Sequence, residues 1–280
     1  MPTLSYDVYV APSIPTAIPD IPPDMDRRWW SPISSTLISG VSDAVLVDPL
    51  MTVAQARHLT DWVGASGKNL TTIYITHGHG DHWFGLATLL ERFPRARAIA
   101  TPAVVAHAQQ QCAPEFVESF WKSRFPGQIP DRFVLPEPLM GDSFEIEGEE
   151  IRIVELGHTD TDDTTALHVP SIDLVVAGDA AYNDVHLYLA ESSVEGRKAW
   201  IAALETLAAL TPTAVVAGHK NPDRGDLPEI IEQTKRYIHD FEAMAASTST
   251  TLELYHCLVD AYPHRVNPGA AWGSARSAKG

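Results

Sequence analysis

Apolar and polar positions along the chain follow two periods. Leu4 to Val10 alternates with period two, as a half-buried strand does. Ser34–Ile38 and Ala44–Val47 read as a hairpin turning at Gly40 to Asp43, and Thr71–Ile75 as a buried strand rich in β-branched residues. Ala98–Ala100, Asp142–Glu145, Glu150–Glu155, Thr165–Val169, Leu174–Ala177 and Ala214–Ala217 are further strands by the same criteria. The period lengthens to that of an amphipathic helix over Val53–Gly64, from Trp83 to Phe93, over Val194–Leu210 and Leu227–Ala246, and briefly over Leu252–Tyr262. Strands come first, then helix, then strands and helix again. The expectation is a single mixed α/β (α+β) domain over residues 1–280, with two sheets packed between helices.

Three stretches depart from this alternation. Residues 11–32 form a proline-rich loop carrying Met25, Trp29 and Trp30, too proline-rich for helix or central strand. Such a stretch serves either as a binding loop, with Trp29 or Trp30 at a pocket mouth, or as a segment pinned to the body by its tryptophans. Residues 101–135 read as a helical insertion with Phe116, Phe120, Trp121 and Phe125 on it, either a lid or a packing helix pair. A helical extension covers about 227–272, and Gly273 to Gly280 reads as a small polar tail.

One stretch carries dense chemistry. His77-Gly78-His79-Gly80-Asp81-His82 places four metal-capable side chains between a strand end and a helix start. Residues i and i+2 of an extended segment point the same way, so His77 and His79 can grip one ion together. Asp81 and His82 follow where the chain turns into the helix and can face a second, adjacent ion. Imidazole and carboxylate suit zinc, and also iron or manganese. Three later positions share one local pattern, an apolar strand, a glycine, then a ligand-capable residue: Gly157-His158, Gly178-Asp179 and Gly218-His219. If those strand ends converge, all three side chains meet the loop.

Composition narrows the partners. The net charge is −16, with only 20 Lys and Arg, scattered along the chain, which argues against nucleic acid and anionic membranes. No apolar run is long enough to span a bilayer, and Met1 to Val10 does not read as a signal peptide. Cys112 and Cys257 are too few for a disulfide framework; both read as small buried residues, and a cytoplasmic location is the simplest expectation. The sequence leaves the oligomeric state open between monomer and homodimer.

The hexapeptide, followed in order by His158, Asp179 and His219, resembles the metallo-β-lactamase superfamily over roughly residues 33–225. The resemblance implies a four-layer αββα sandwich with the site at one edge. It implies one ion on His77, His79 and His158, a second on Asp81, His82 and His219, and Asp179 bridging them. Asp48 matches the family's acidic residue that orients a ligand histidine. Two such ions, Zn²⁺ in the first instance, about 3.5–4 Å apart would turn a shared water into hydroxide at neutral pH, with Asp81 shuttling its proton.

Within the superfamily, Asp179 argues against true β-lactamases, where cysteine or serine often stands there, and His79 argues against the iron–flavin branch. Glyoxalase II-like thioesterases need basic residues for glutathione carboxylates, for which Lys220 and Arg224 are candidates. Acyl-homoserine lactonases carry a tyrosine three residues past the bridging aspartate, as Tyr182 is here, and it would donate to the substrate carbonyl. The expectation is a dinuclear zinc hydrolase of a small lactone, ester or thioester. A phosphoester or organophosphate hydrolase and a non-catalytic metal-binding protein are the alternatives.

Overall fold

The computed structural model describes residues 4–280. The first half contains β1 (Ser5–Ala11), a two-residue pair β2 (Ile14–Pro15) and β3 (Trp29–Trp30), β4 (Ile33–Ser39), β5 (Asp43–Val47), α1 (Val53–Ala65) and β6 (Asn69–Tyr74). It continues through α2 (Gly80–Trp83), α3 (Leu86–Arg92), β7 (Arg97–Ala100), α4 (Pro102–Gln111), α5 (Pro114–Phe116), a π-helical turn at Val117–Lys122 and β8 (Glu137–Pro138). The second half holds β9 (Ser143–Ile146), β10 (Glu149–Gly157), β11 (Thr164–Val169), β12 (Leu174–Asn183), α6 (Val194–Ala209) and β13 (Ala214–Lys220). Helices α7 (Glu229–Ser247), α8 (Thr251–Ala261) and α9 (Pro268–Lys279) complete it.

Strands run in the order β8-β7-β6-β5-β4-β13-β12-β11-β10-β9, with β1 also on β4. The two halves of this order meet at one residue pair, His219 opposite Ile33, so they behave as two sheets joined at a corner. Three apolar clusters then define four layers. Ile38, Val45, Val47 and Tyr74 of the first half pack against Ile151, Leu167, Val176 and Val216 of the second, forming the sheet-on-sheet interior. Leu46 and Ile73 turn outward onto Leu59 and Val63 of α1 and Leu86 and Leu89 of α3. Val175 and Val215 turn outward onto Trp200 and Leu204 of α6 and Tyr237 and Phe241 of α7. The period of two within each strand thus feeds both faces of each sheet, and both are apolar because both are covered. The αββα sandwich expected from the resemblance is the fold observed.

Local signals account for the helix starts. Thr52 caps α1 and receives Gln55 in return, and Thr250 does the same with Glu253 at α8. Two expectations fail. The final residues are not a tail: they lie in α9, where Ala271 and Ala275 pack into the second outer cluster and Ser274 is buried. With only small residues on its inner face, that helix shows little apolar period. Nor are the cysteines buried: Cys257 is exposed on α8, whose inner face is taken by Leu254, Tyr255 and Leu258, and Cys112 is half-buried. Residues 1–3 of the segment that does not read as a signal peptide lie outside the described residues. Among the described residues no helix is long and apolar enough to cross a membrane.

Candidate metal centre

The hexapeptide follows β6 and runs into α2, whose four residues Gly80 to Trp83 are all buried. Trp83 fixes the loop by donating its indole Nε1 to the Gly78 carbonyl at 2.8 Å. Asp48, just past β5, accepts from the Thr76 amide (2.9 Å) and the Thr76 hydroxyl (2.7 Å) and lies 3.2 Å from His82 Nδ1. Asp179 and His219 arrive from adjacent parallel strands. Both strands continue past them, β12 to Asn183 and β13 to Lys220, so these residues sit within strands and not at their ends. A break in register at Gly178 (φ 53°) re-aims Asp179 inward, and a Cβ on Gly178 would meet Thr76 Oγ1 at 2.7 Å.

Two groups of ligand-capable atoms result, each within 4.8 Å: His77, His79 and Asp160 in one, and Asp81, His82 and His219 in the other. Asp179 touches the second group through Oδ1, 3.3 Å from His82 Nε2, and Oδ2, 3.1 Å from His219 Nε2. Asp48 is also close to His77 and His82, but its oxygens are committed to Thr76 and to His82 Nδ1, an orienting position.

Each histidine is held through one nitrogen by an acceptor, which leaves the other nitrogen facing the cluster. The single Thr76 hydroxyl hydrogen goes to Asp48, so His77 Nδ1 must donate to Thr76 Oγ1 (3.0 Å), and its Nε2 is left without a hydrogen-bond partner. His82 Nδ1 donates to Asp48, and its Nε2 is likewise buried and unpartnered. His219 Nδ1 donates to the Pro32 carbonyl at 2.9 Å, and its Nε2 faces Asp179 and Asp81. His79 Nε2 is 3.3 Å from the Glu191 carboxylate, and its Nδ1 lies 3.0 Å from Asp160 Oδ2. Fixing the tautomer from outside in this way is how ligand histidines are prepared for a metal.

The electrostatics match. Burial holds the His77 imidazole well below its usual value. At His79 and His82 burial works in the same direction but is outweighed, by Asp160 with Glu191 and by Asp179 with Asp81, so both are held well above it. His219 is raised by Asp179 in the same way. Burial would raise the Asp179 carboxyl, but the facing His219 and His82 imidazoles hold it well below the usual carboxylate range. Buried carboxylates and imidazoles, with Asp179 Oδ1 and Asp160 Oδ2 meeting only ligand-capable imidazole nitrogens among the described residues, form a donor set that calls for cations and fits divalent metal.

His158 is not brought into this cluster. Gly157 (φ 70°) ends β10 at a bulge, and the His158 ring turns against Gly196 of α6. Its Nδ1 is 2.6 Å from Asp162 and its Nε2 2.8 Å from Ser192 Oγ, so both nitrogens already have protein partners. Asp160 stands in the cluster instead, and sequence reasoning missed it, as it missed Glu191 and His107, whose ring centre lies 5.6 Å from that of His79.

Above the cluster lies a cavity of about 660 Å³ including its mouth, walled by Trp29, Trp30, Phe116, Phe120, Trp121 and Tyr188. Trp30 belongs to both wall and cluster: its indole Nε1 donates to Asp81 Oδ2 at 2.9 Å. The insertion over 101–135 lines the cavity with Phe116, Phe120 and Trp121, and Trp121 is also buried in the core. Tyr182 lies within β12; it is buried, and its hydroxyl donates to Asp179 Oδ2 at 3.0 Å. Lys220 is buried in an ion pair with Asp226, and Arg224 pairs with Asp184 at 2.8 Å; neither lines the cavity.

A family model of the metallo-beta-lactamase superfamily matches residues 28–219. A hydroxyacylglutathione hydrolase of Actinobacillus pleuropneumoniae serotype 5b (strain L20) is 30% identical over 98 residues, 35% of this chain and 37% of that one. A second, from Synechococcus sp. (strain CC9902), is 39% identical over 61 residues, 22% and 23% of the two chains. The chain thus matches little more than a third of the length of these curated relatives at most. Among solved structures, a metallo-beta-lactamase family protein from Thermus thermophilus superposes with a TM-score of 0.65 at 21% identity, over 97% of this chain and 91% of that one. A metallo-beta-lactamase from Pontibacter korlensis gives 0.59 at 14% identity, over 79% and 99%. At such identities the structural likeness speaks for the fold.

Proposed function

This chain belongs to the metallo-beta-lactamase superfamily, and on that premise we propose that it hydrolyses ester-type bonds in small, largely apolar molecules, lactones, esters or thioesters, with two zinc ions. The observation that carries the reading is the set of four imidazoles, each anchored through one nitrogen and turning the other toward buried carboxylates beneath an aromatic cavity. Metal bound there would supply a Lewis acid for the substrate's carbonyl oxygen and an activated water.

The chain's own residues do the rest. The aromatic walls hold the apolar part of the substrate and exclude water from the reacting bond. Trp30 occupies Oδ2 of Asp81 and orients that carboxylate. Asp81 Oδ1 is then the atom assigned to take a proton from the attacking water and return it to the leaving oxygen or sulfur. A glutathione thioester is disfavoured. Among the described residues, the one arginine or lysine lining the cavity is Arg28, tied to Asp20 (3.3 Å) and to the Gly269 carbonyl (3.0 Å), which leaves little to meet two glutathione carboxylates. The net charge of −16 disfavours nucleic acid, and the unpaired Cys112 and Cys257 suit the reducing cytoplasm, where we place the enzyme.

The test is a panel of lactone, aryl ester, thioester and phosphotriester substrates offered to zinc-loaded protein. Turnover of the first three that disappears with a chelator and returns with zinc is the expected result. Exclusive turnover of the phosphotriester, or no turnover by protein shown to hold metal, overturns the reading.

A further inference from the structure

The two triads of potential ligands are not alike. In the second, the sequence order and the geometry agree. In the first, the position expected of His158 is filled by a carboxylate, and the reasons lie in the loop 158–163. Thr159 donates its hydroxyl to Asp160 Oδ1 at 3.0 Å, which orients the carboxylate. Asp160 Oδ2 is left buried, and among the described residues it meets only Nδ1 of His79, 3.0 Å away. Asp160 is 1% exposed, and a carboxylate that deep needs positive charge beside it; His79 meets it here, and a metal ion between the two would supply that charge with both as ligands. His158 has the reverse character: partly exposed, both nitrogens engaged, and its Ser192 partner itself donating to the Thr159 carbonyl at 2.7 Å.

We infer that Asp160, not His158, is the third protein ligand of the first metal ion, which makes that site His77 Nε2, His79 Nδ1 and Asp160 Oδ2. His158 is a post that pins the loop to Ser192, so that Thr159 and Asp160 turn inward. Two histidines and a carboxylate give this ion one more negative charge than three histidines would. The ion is held against a net charge closer to neutrality, and the site favours metals that accept oxygen ligands more than an all-imidazole one does. Glu191, on the far nitrogen of His79, adds a carboxylate–imidazole–metal relay that fixes the ring.

The inference rests on the metal-hydrolase reading, and its test separates the two. Metal per chain is measured by elemental analysis after zinc loading and gel filtration, and the cobalt-substituted proteins are compared by visible absorption. Wild-type protein is expected to hold close to two ions. Asp160→Ala should lose one of them, and Asp160→Asn, which keeps the size and the Thr159 contact, should bind its weaker ion at least roughly tenfold less tightly. His158→Gln should keep both ions and the wild-type cobalt spectrum, with at most a lower melting temperature. If His158→Gln loses an ion, or if both Asp160 variants keep two with wild-type affinity, the assignment is overturned while the hydrolase reading stands. A wild-type protein that binds no metal overturns both.

Discussion

The indole of Trp30 and the carboxylate of Asp81 are joined by a hydrogen bond of 2.9 Å, although they lie 51 residues apart. Trp30 stands on the proline-rich loop and Asp81 at the start of a helix behind the ligand loop. The ring of Trp30 meets Phe125 edge-on at 5.3 Å and Trp121 at 5.8 Å. One side chain therefore couples the wall that would meet the substrate to the acid that would handle the proton.

Trp30→Phe separates the two roles, because a phenyl ring keeps the aromatic contacts and loses the donor. We expect kcat on the best ester or lactone to fall roughly tenfold, the loss typical of a partner that orients a functional group, with metal content unchanged. Trp30→Ala should in addition raise KM and cost about 2–3 kcal/mol of stability, since it empties part of the core. Steady-state kinetics and thermal melts of both variants check this, and an unchanged kcat for Trp30→Phe would remove the hydrogen bond from the mechanism.

The position of Tyr182, three residues past Asp179, predicts a donor to the substrate carbonyl, and the structure gives it another partner. Its single hydroxyl hydrogen goes to Asp179 Oδ2, and burial together with Asp179 holds its pKa well above the usual value, so it stays a donor at neutral pH. Tyr182→Phe should then loosen metal by about tenfold in a chelator titration while the fully loaded enzyme keeps kcat within about threefold. A large kcat loss at unchanged metal affinity would restore the carbonyl-donor role.

The parts of the site legible in the sequence are those fixed locally. His77 to His82 sit between a recognisable strand and helix, and Asp179 and His219 follow glycines that only a close-packed strand demands: a Cβ on Gly218 would collide with Asp179 Oδ1. The layers are legible because alternation within strands and the helical period set which face is apolar. What cannot be read depends on distant segments. Asp160 lies among three other polar residues, Thr159, Thr161 and Asp162, between His158 and Asp163, and its inward turn depends on Ser192 holding His158 aside. Glu191 reaches His79 across 112 residues. The final helix is hidden because Gly269, Ala270, Ala271 and Ala275 bury little apolar surface each, yet together seat it.

His186 gives a pH prediction away from the metal centre. It is buried, its Nδ1 is 2.9 Å from the Tyr237 hydroxyl, and burial, helped by the nearby Arg265, pushes its pKa down to about 3. The unfolded chain titrates this group near 6.5, so between the two values the unfolded state holds the extra proton. Its contribution is therefore complete above about pH 6.5 and is lost as pH falls. By about pH 5 the loss amounts to roughly 2 kcal/mol. Urea unfolding of wild type and His186→Gln at about pH 7 and pH 5 should show a smaller acid-side loss in the variant by that amount. Identical losses would mean that the site takes up a proton without cost.

The C-terminal helix α9 lines the cavity with Gly269 and Ala270 and also grips its wall through one carboxylate. Asp20, in the proline-rich loop, accepts from Trp272 Nε1 (3.0 Å), from Arg276 (2.6 Å) and from Arg28 (3.3 Å). Arg28 in turn donates to the Gly269 carbonyl, and Asn267 donates to Ser31 at 2.6 Å, so the helix grips the loop on both sides of Trp29 and Trp30. Asp20 is about one-third exposed, and ion pairs in that setting are worth about 1 kcal/mol or less. The contacts therefore matter more for where the wall stands than for whether the protein folds. Asp20→Ala should lower stability by only about 1 kcal/mol. Because all three donors lose their common acceptor, the wall should move more freely and KM should rise roughly threefold to tenfold, with kcat and metal content unchanged. High salt should raise the wild-type KM in the same direction, since it screens the Arg28 and Arg276 pairs, and should affect Asp20→Ala less. A variant that melts earlier but binds substrate normally would show that the Asp20 contacts support the fold and do not set where the wall stands.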